Sequence, residues 1–231
     1  WLPSATSVGS AAILLFAIGV SGGLFAVKLR ERLYPALRDA ARRGCPMIGV
    51  CNGFQVLVQV GLLPGPVSQD WPADRAPAQT VALTHNAGGR FIDKWGRVAA
   101  NPDSPCIWTR PWADLAAARP ELADDLLQLP IAHGEGRFVA ASPQVLAGLR
   151  ERGQIALTYI DNPNGSQADV AGICDVTGRI FGLMPHPDRY LDWTLHPYWT
   201  RLDPSVRDPR NPAPGAMMFR AAVEAAQLTR V

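Results

Sequence analysis

The sequence predicts an α/β domain with a mostly parallel central sheet, and three observations carry that expectation. A helical segment, a short apolar run, a tight turn and a second helical segment follow one another between residues 31 and 60. Such alternation is how a chain crosses between neighbouring parallel strands. Further short apolar runs, of strand length, recur late in the chain. Finally, 231 residues with 48% hydrophobic and 18% charged side chains supply the core of one domain.

The elements follow from local pattern. Glu31 to Arg43 carries Leu33, Leu37 and Ala40-Ala41 at helical spacing, with Gly44 as its stop and Pro35 in its first turn. Pro46 to Val50 reads as a buried strand. Gly53 to Val60 reads as a helix closed by Gly61 and Pro64. Gly65 to Thr80 is a Pro-rich loop. Strands are expected at Val81 to Leu83, Arg90 to Val98, Ile155 to Ile160, Val170 to Cys174 and Ile180 to Met184, and Leu126 to Ala132 leads into the Gly-punctuated segment His133 to Arg137. Pro143 to Arg152 and Gly215 to Leu228 read as helices, and the prolines between 197 and 214 place a surface wrap before the last one.

Composition excludes several classes. The 22 Lys and Arg nearly balance 20 Asp and Glu, for a net charge of +2. A disordered polyelectrolyte is excluded, and a dedicated nucleic-acid binder lacks the charge excess that drives counterion release. The four cysteines, Cys45, Cys51, Cys106 and Cys174, contain no C-x-x-C pair. That argues against a disulfide scaffold and a zinc site, and for a reducing, cytoplasmic compartment. No metal is expected.

One segment resists this reading. Trp1 to Val27 carries no charge, and Ser7 to Val27 is long enough to span a bilayer, with Lys28, Arg30 and Arg32 just after it. No basic residues precede it, so it is no signal peptide. The alternative is a buried strand followed by a turn at Gly22-Gly23. Pattern alone leaves both open.

Gly49-Val50-Cys51-Asn52-Gly53 places a cysteine between a strand and a helix, with glycines on both sides. Such a turn exposes a nucleophile, and the helix N-terminus behind it favours the thiolate. The N–H of Asn52 faces the position of an oxyanion. The alternative, a buried structural cysteine, suits Cys45, Cys106 and Cys174 better. A thiolate nucleophile needs a base, and Pro185-His186-Pro187-Asp188 follows the strand Ile180 to Met184. In extended chain His186 and Asp188 share a face, so the carboxylate orients the imidazole. If both strands are parallel, Cys51 and His186 lie at one sheet edge. His196 reads as a loop histidine.

Gly49 to Gln55 resembles the nucleophile segment of class I glutamine amidotransferases, in the C-N-G-F-Q form of the purine-synthesis branch. Further segments agree in order: Asn86 with Gly89-Arg90-Phe91, His133-Gly134-Glu135-Gly136-Arg137, Asn162 to Ser166, and Met184 to Pro187 with Arg189. The resemblance runs from about Leu24 to the C-terminal helix. It implies a flavodoxin-like three-layer fold over a single domain, residues 1–231, with 1–23 as an aberrant or truncated segment.

The resemblance also implies a Cys51–His186–Asp188 triad that hydrolyses glutamine to glutamate and ammonia through a thioester. Gly49, Asn52, Gly53, Gln55, Asn86, Arg90, His133, Glu135 and Arg137 become substrate-binding or oxyanion candidates. For the loop residues a structural role stands beside that one: Gly134, Gly136 and Gly165 as turns, and Arg137 paired with Glu135. The ammonia is implied to serve a separate synthetase that makes formylglycinamidine ribonucleotide, with ATP and Mg²⁺ on that partner and none on this chain. A small assembly subunit belongs to the same picture.

Three departures from the family pattern stand out. Asp188 replaces Glu, one methylene shorter. Gly88 replaces Ser in the N-x-S-G-R-F segment. The opening strand, helix and P-G-G-F-S-x-G-D oxyanion loop have no counterpart before Leu24, which predicts a truncated chain and an exposed sheet edge. That also makes the membrane-span reading the minor one. The competing readings are a partner-docking remnant impaired in catalysis, a membrane-anchored relative, and another cysteine hydrolase of the superfamily.

Overall fold

The computed structural model describes residues 13–15, 23–208 and 210–228. Its centre is a seven-stranded sheet. The strands are β1 (Ile13–Leu15), β2 (Met47–Val50), β4 (Ile92–Ala100), β5 (Gln128–His133), β7 (Ile155–Tyr159), β8 (Val170–Cys174) and β9 (Ile180–Leu183). Their order is β1-β2-β9-β8-β7-β4-β5. A separate two-stranded sheet pairs β3 (Val81–Thr84) with β6 (Arg137–Ala140).

The expected α/β layering is present, and the sheet is mostly parallel in strand direction, since β1, β2, β9, β7 and β5 run one way while β8 and β4 oppose them. Only β1–β2 and β2–β9 pair in parallel. The pairs β9–β8, β8–β7, β7–β4 and β4–β5 are antiparallel. Strands β8 and β4 lie between co-directional strands and so make every pair beyond β9 antiparallel. Short apolar runs buried on both faces look alike in either polarity.

Helices cover both faces. One holds α1 (Gly23–Arg42), α2 (Asn52–Gln59) and α5 (Pro143–Glu151). There Tyr34, Leu37, Phe54, Leu57 and Leu149 cluster with Met47, Ile173 and Ile180 of the sheet. The other holds α3 (Arg110–Ala118), α4 (Pro120–Leu126) and α6 (Pro214–Leu228). There Trp112, Leu126 and Met218 cluster with Ile48, Leu157, Phe181 and Leu183. Successive strand residues send side chains to opposite faces, so Met47 and Ile48 join different clusters.

Several local expectations also change. Helix α1 begins at Gly23 rather than Glu31, so Gly23 is helical and Pro35 lies inside the helix. The lost N–H of Pro35 is tolerated because Tyr34, Leu37 and Ala40 around it are buried. Strand β1 pairs with β2 in register Ile13↔Met47, so β2 is not left as an exposed edge. Residues 1–12 and 16–22, with Gly22 of the proposed turn and most of the uncharged run, lie outside the described residues. Helices α3 and α4 were not anticipated, although each opens on a proline in its first turn. Among the described residues no helix is long and apolar enough to cross a membrane.

The long strand β4 has two partners. Its end, Val98 to Ala100, pairs with β7 inside the sheet, and its start, Ile92 to Arg97, pairs with β5. The β4–β5 ribbon therefore reaches past the sheet edge.

Candidate active site

Strands β2 and β9 run parallel, in register Val50↔Leu183, so their C-terminal ends open at one edge. Cys51 follows β2 directly. It has φ 52° and ψ −107°, a left-handed conformation that costs a non-glycine residue about 1–3 kcal/mol. The strain is held by neighbours. The Cys51 N–H donates to the Leu183 carbonyl at 2.8 Å, and its own carbonyl receives the Phe54 and Gln55 N–H groups. Gly49 lets helix and strand close up: a Cβ there would lie 2.5 Å from the Gly53 backbone. Cys51 is half-buried. As the first helical residues, Asn52 and Gly53 present N–H groups beyond the reach of intrahelical acceptors.

His186 is carried in from β9. Its N–H donates to the Pro130 carbonyl of β5 at 2.8 Å. Pro187 to Arg189 then form a 3₁₀ turn rather than the extended chain expected. The turn still brings Asp188 Oδ1 to 3.4 Å from His186 Nδ1. That is ion-pair range, with geometry that completes no hydrogen bond. Burial works against a charged imidazole. Contact with Asp188 and with Cys51 outweighs it and pushes the His186 pKa up to about 9.

The β4–β5 ribbon roofs this edge. The Cys51 Sγ lies 3.9 Å from the Ala132 carbonyl. The next residue, His133, is buried, and burial together with repulsion from His186 pulls its pKa down to about 4. Asn86, also buried, ties the roof to the neighbouring loop. Its Nδ2 donates to the carbonyls of Arg90 and His133, both at 2.8 Å. Its Oδ1 accepts the Gly136 N–H at 3.3 Å and faces His133 Nδ1 at 3.1 Å.

The remaining candidates divide. Gln55 reaches from α2 to the Glu135 carbonyl at 2.7 Å, and Asn52 Nδ2 donates to Gln55 Oε1 at 3.0 Å. Arg90 enters through its backbone carbonyl, with its side chain exposed. Glu135 pairs with His85 at 3.4 Å, not with Arg137, which donates instead to the Gly165 carbonyl. Asn164 Nδ2 donates to the Gly136 carbonyl, so the two Gly-punctuated loops form one platform. Gly88 has open space where a side chain would stand. Cys45, Cys106 and Cys174 are buried.

Two neighbours of Cys51 escaped the sequence reading. One is the Ala132 carbonyl, a backbone atom that side-chain chemistry gives no reason to single out. The other is Tyr159, whose buried hydroxyl has no partner and whose pKa is raised by burial and by the charge of Cys51. Its only signal was an aromatic residue at the end of an apolar run. Among the described residues no three His, Cys, Asp or Glu side chains converge as a metal would require.

Comparison with known proteins matches this architecture. The family model for the CobB/CobQ-like glutamine amidotransferase domain matches residues 18–224. The phosphoribosylformylglycinamidine synthase subunit PurQ of Rubrobacter xylanophilus is 39% identical over 196 residues, covering 83% of this chain and 76% of that one. The subunit of the same name from Dehalococcoides mccartyi is 37% identical over 186 residues, covering 78% of this chain and 65% of that one. The chain thus spans just under two thirds of that relative's length. A solved structure, described as the structure of PurLQS from Thermotoga maritima, is similar at TM-score 0.54 and 27% identity, covering 87% of this chain and 71% of that one. The chain belongs to the CobB/CobQ-like glutamine amidotransferase domain family, and within it to the PurQ subunits.

Proposed function

We propose that the chain hydrolyses the side-chain amide of glutamine and passes the ammonia to a phosphoribosylformylglycinamidine synthetase. The observation that carries this is Cys51, held at positive φ on the strand–helix turn, with His186 and Asp188 at the same edge. Cys51 attacks the amide carbonyl as thiolate, and its proton passes through His186 to the leaving nitrogen. The C–N bond breaks, ammonia departs and a glutamyl thioester remains. His186 then takes a proton from water, which attacks the thioester and releases glutamate and the thiol. Asp188 steadies the imidazolium that each step creates. The Asn52 N–H supports the tetrahedral oxyanion.

The synthetase partner and the purine-synthesis setting rest on the PurQ relatives and on the PurLQS structure. On this reading the ATP and Mg²⁺ sites and the small assembly subunit belong to the rest of the assembly, and the chain works in the cytoplasm. The test is glutamate release from glutamine by wild type and Cys51→Ala, each with and without the synthetase. Release that requires Cys51 is expected. No release with the synthetase bound would overturn the reading in favour of a docking subunit without glutaminase chemistry.

A further inference from the structure

One buried polar atom at this edge has no task in the steps above. His133 is 4% exposed, and its Nε2 has no hydrogen-bond partner. A buried acceptor left unpaired is destabilising, so such an atom points to a ligand.

The hydrogen bonds around the ring settle what Nε2 offers. Asn86 Nδ2 donates to two backbone carbonyls, so the atom facing His133 Nδ1 is Oδ1, which only accepts. Nδ1 therefore carries the proton, and Nε2 presents a bare lone pair. Burial and the neighbouring positive charge of His186 keep the ring neutral, so the lone pair persists at neutral pH. The ring is also fixed in place: a Cβ at Gly136 would lie 2.4 Å from Nδ1 and Cε1. The strand that carries it passes Cys51 at the Ala132 carbonyl and grips His186 at the Pro130 carbonyl.

A neutral acceptor recognises what a carboxamide has and a carboxylate lacks, which is N–H on the atom that leaves. We infer that His133 Nε2 accepts a hydrogen bond from the amide nitrogen of the substrate and selects amides over acids and esters. The inference rests on the glutaminase reading. With one N–H held by His133, the nitrogen keeps a defined orientation toward His186, which delivers the proton as the C–N bond breaks. Ammonia departs bearing the N–H that His133 held.

The experiment compares glutamine with γ-glutamyl methyl ester, which forms the same thioester but has no N–H on its leaving atom. Both are assayed with the synthetase bound, in wild type and His133→Phe. The expected loss of kcat/KM is about a hundredfold on glutamine and less than about tenfold on the ester. Equal losses on both substrates overturn the inference and leave the role of Cys51 standing. If wild type shows no Cys51-dependent hydrolysis of either substrate, the glutaminase reading has failed. A ¹⁵N NMR titration of Cys51→Ser then decides the inference separately, and it also decides if His133→Phe does not fold. The His133 Nε2 resonance is expected to shift with glutamine and not with glutamate; no shift, or equal shifts, overturns it.

Discussion

Gln55 and Glu135 join the two halves of the site. The Gln55 side chain on α2 donates to the Glu135 backbone carbonyl at 2.7 Å, so the helix behind Cys51 is bonded to the loop that follows its roof. Gln55→Leu keeps the size of the side chain and removes the donor. A stability loss of about 1 kcal/mol is expected. Because the roof also carries Ala132 and His133, glutaminase activity is expected to fall by more than that loss accounts for. Urea denaturation and steady-state kinetics check the two parts separately.

The strain at Cys51 gives a prediction independent of activity. Its φ of 52° suits glycine better than any residue with a Cβ. Cys51→Gly is expected to be more stable than Cys51→Ala by about 1 kcal/mol, because glycine alone adopts this φ without strain. Chemical denaturation of the two variants checks it. Equal stability would show that the turn relaxes once the sulfur is gone.

Two close approaches set what the sheet tolerates. A Cβ at Gly182 would lie 2.1 Å from Phe54 Cδ2 and 2.7 Å from Leu63 Cδ1, both fully buried. Gly182→Ala must displace them, with an expected loss of about 1–3 kcal/mol. Phe54 is on the nucleophile helix, so thiol alkylation of Cys51 is expected to change along with the melting temperature. Gly88→Ser, with open space around it, is expected to leave stability unchanged.

The two histidines at the edge titrate in opposite directions. His186 is raised to about 9, so its contribution is complete below the unfolded pKa of about 6.5 and is lost as pH rises through 9. His133 is lowered to about 4, so its contribution is complete above about 6.5 and is lost as pH falls through 4. Each is worth about 3 kcal/mol at order of magnitude. Together they give a stability maximum near pH 6.5. Asp188→Asn is expected to flatten the alkaline side, and His133→Phe the acidic side, in melting temperatures measured from pH 4 to 10.

What could be read from the sequence follows from which physical signals are local. The Cys51 turn was legible because glycines flank it at 49 and 53, and the close packing of strand on helix requires the one at 49. The placement of His186 at the same edge was conditional on its strand running parallel to that of Cys51, and β2 and β9 do run parallel. Strand polarity was not legible, because residues such as Ile155 and Ile173 are buried in the same way in parallel and antiparallel pairs. The start of α1 was hidden by an uncharged run in which helix and strand patterns coincide. The 3₁₀ turn at Asp188 was missed because His186 before proline favours extended chain, and the turn begins only at Pro187. The roof was missed because it acts through the backbone of Pro130 and Ala132, which no side-chain pattern reports.

The arrangement of the site has a consequence for folding. The contact between Cys51 and Ala132 spans 81 positions, and the bond from Gln55 to Glu135 spans 80. No contiguous fragment shorter than that contains both sides of either contact. Closing loops of this length is slow compared with forming the helices around them. A nascent chain therefore holds an ordinary, unroofed thiol until the β4–β5 ribbon has docked. The reactivity of one sulfur atom becomes a clock for the completion of the fold.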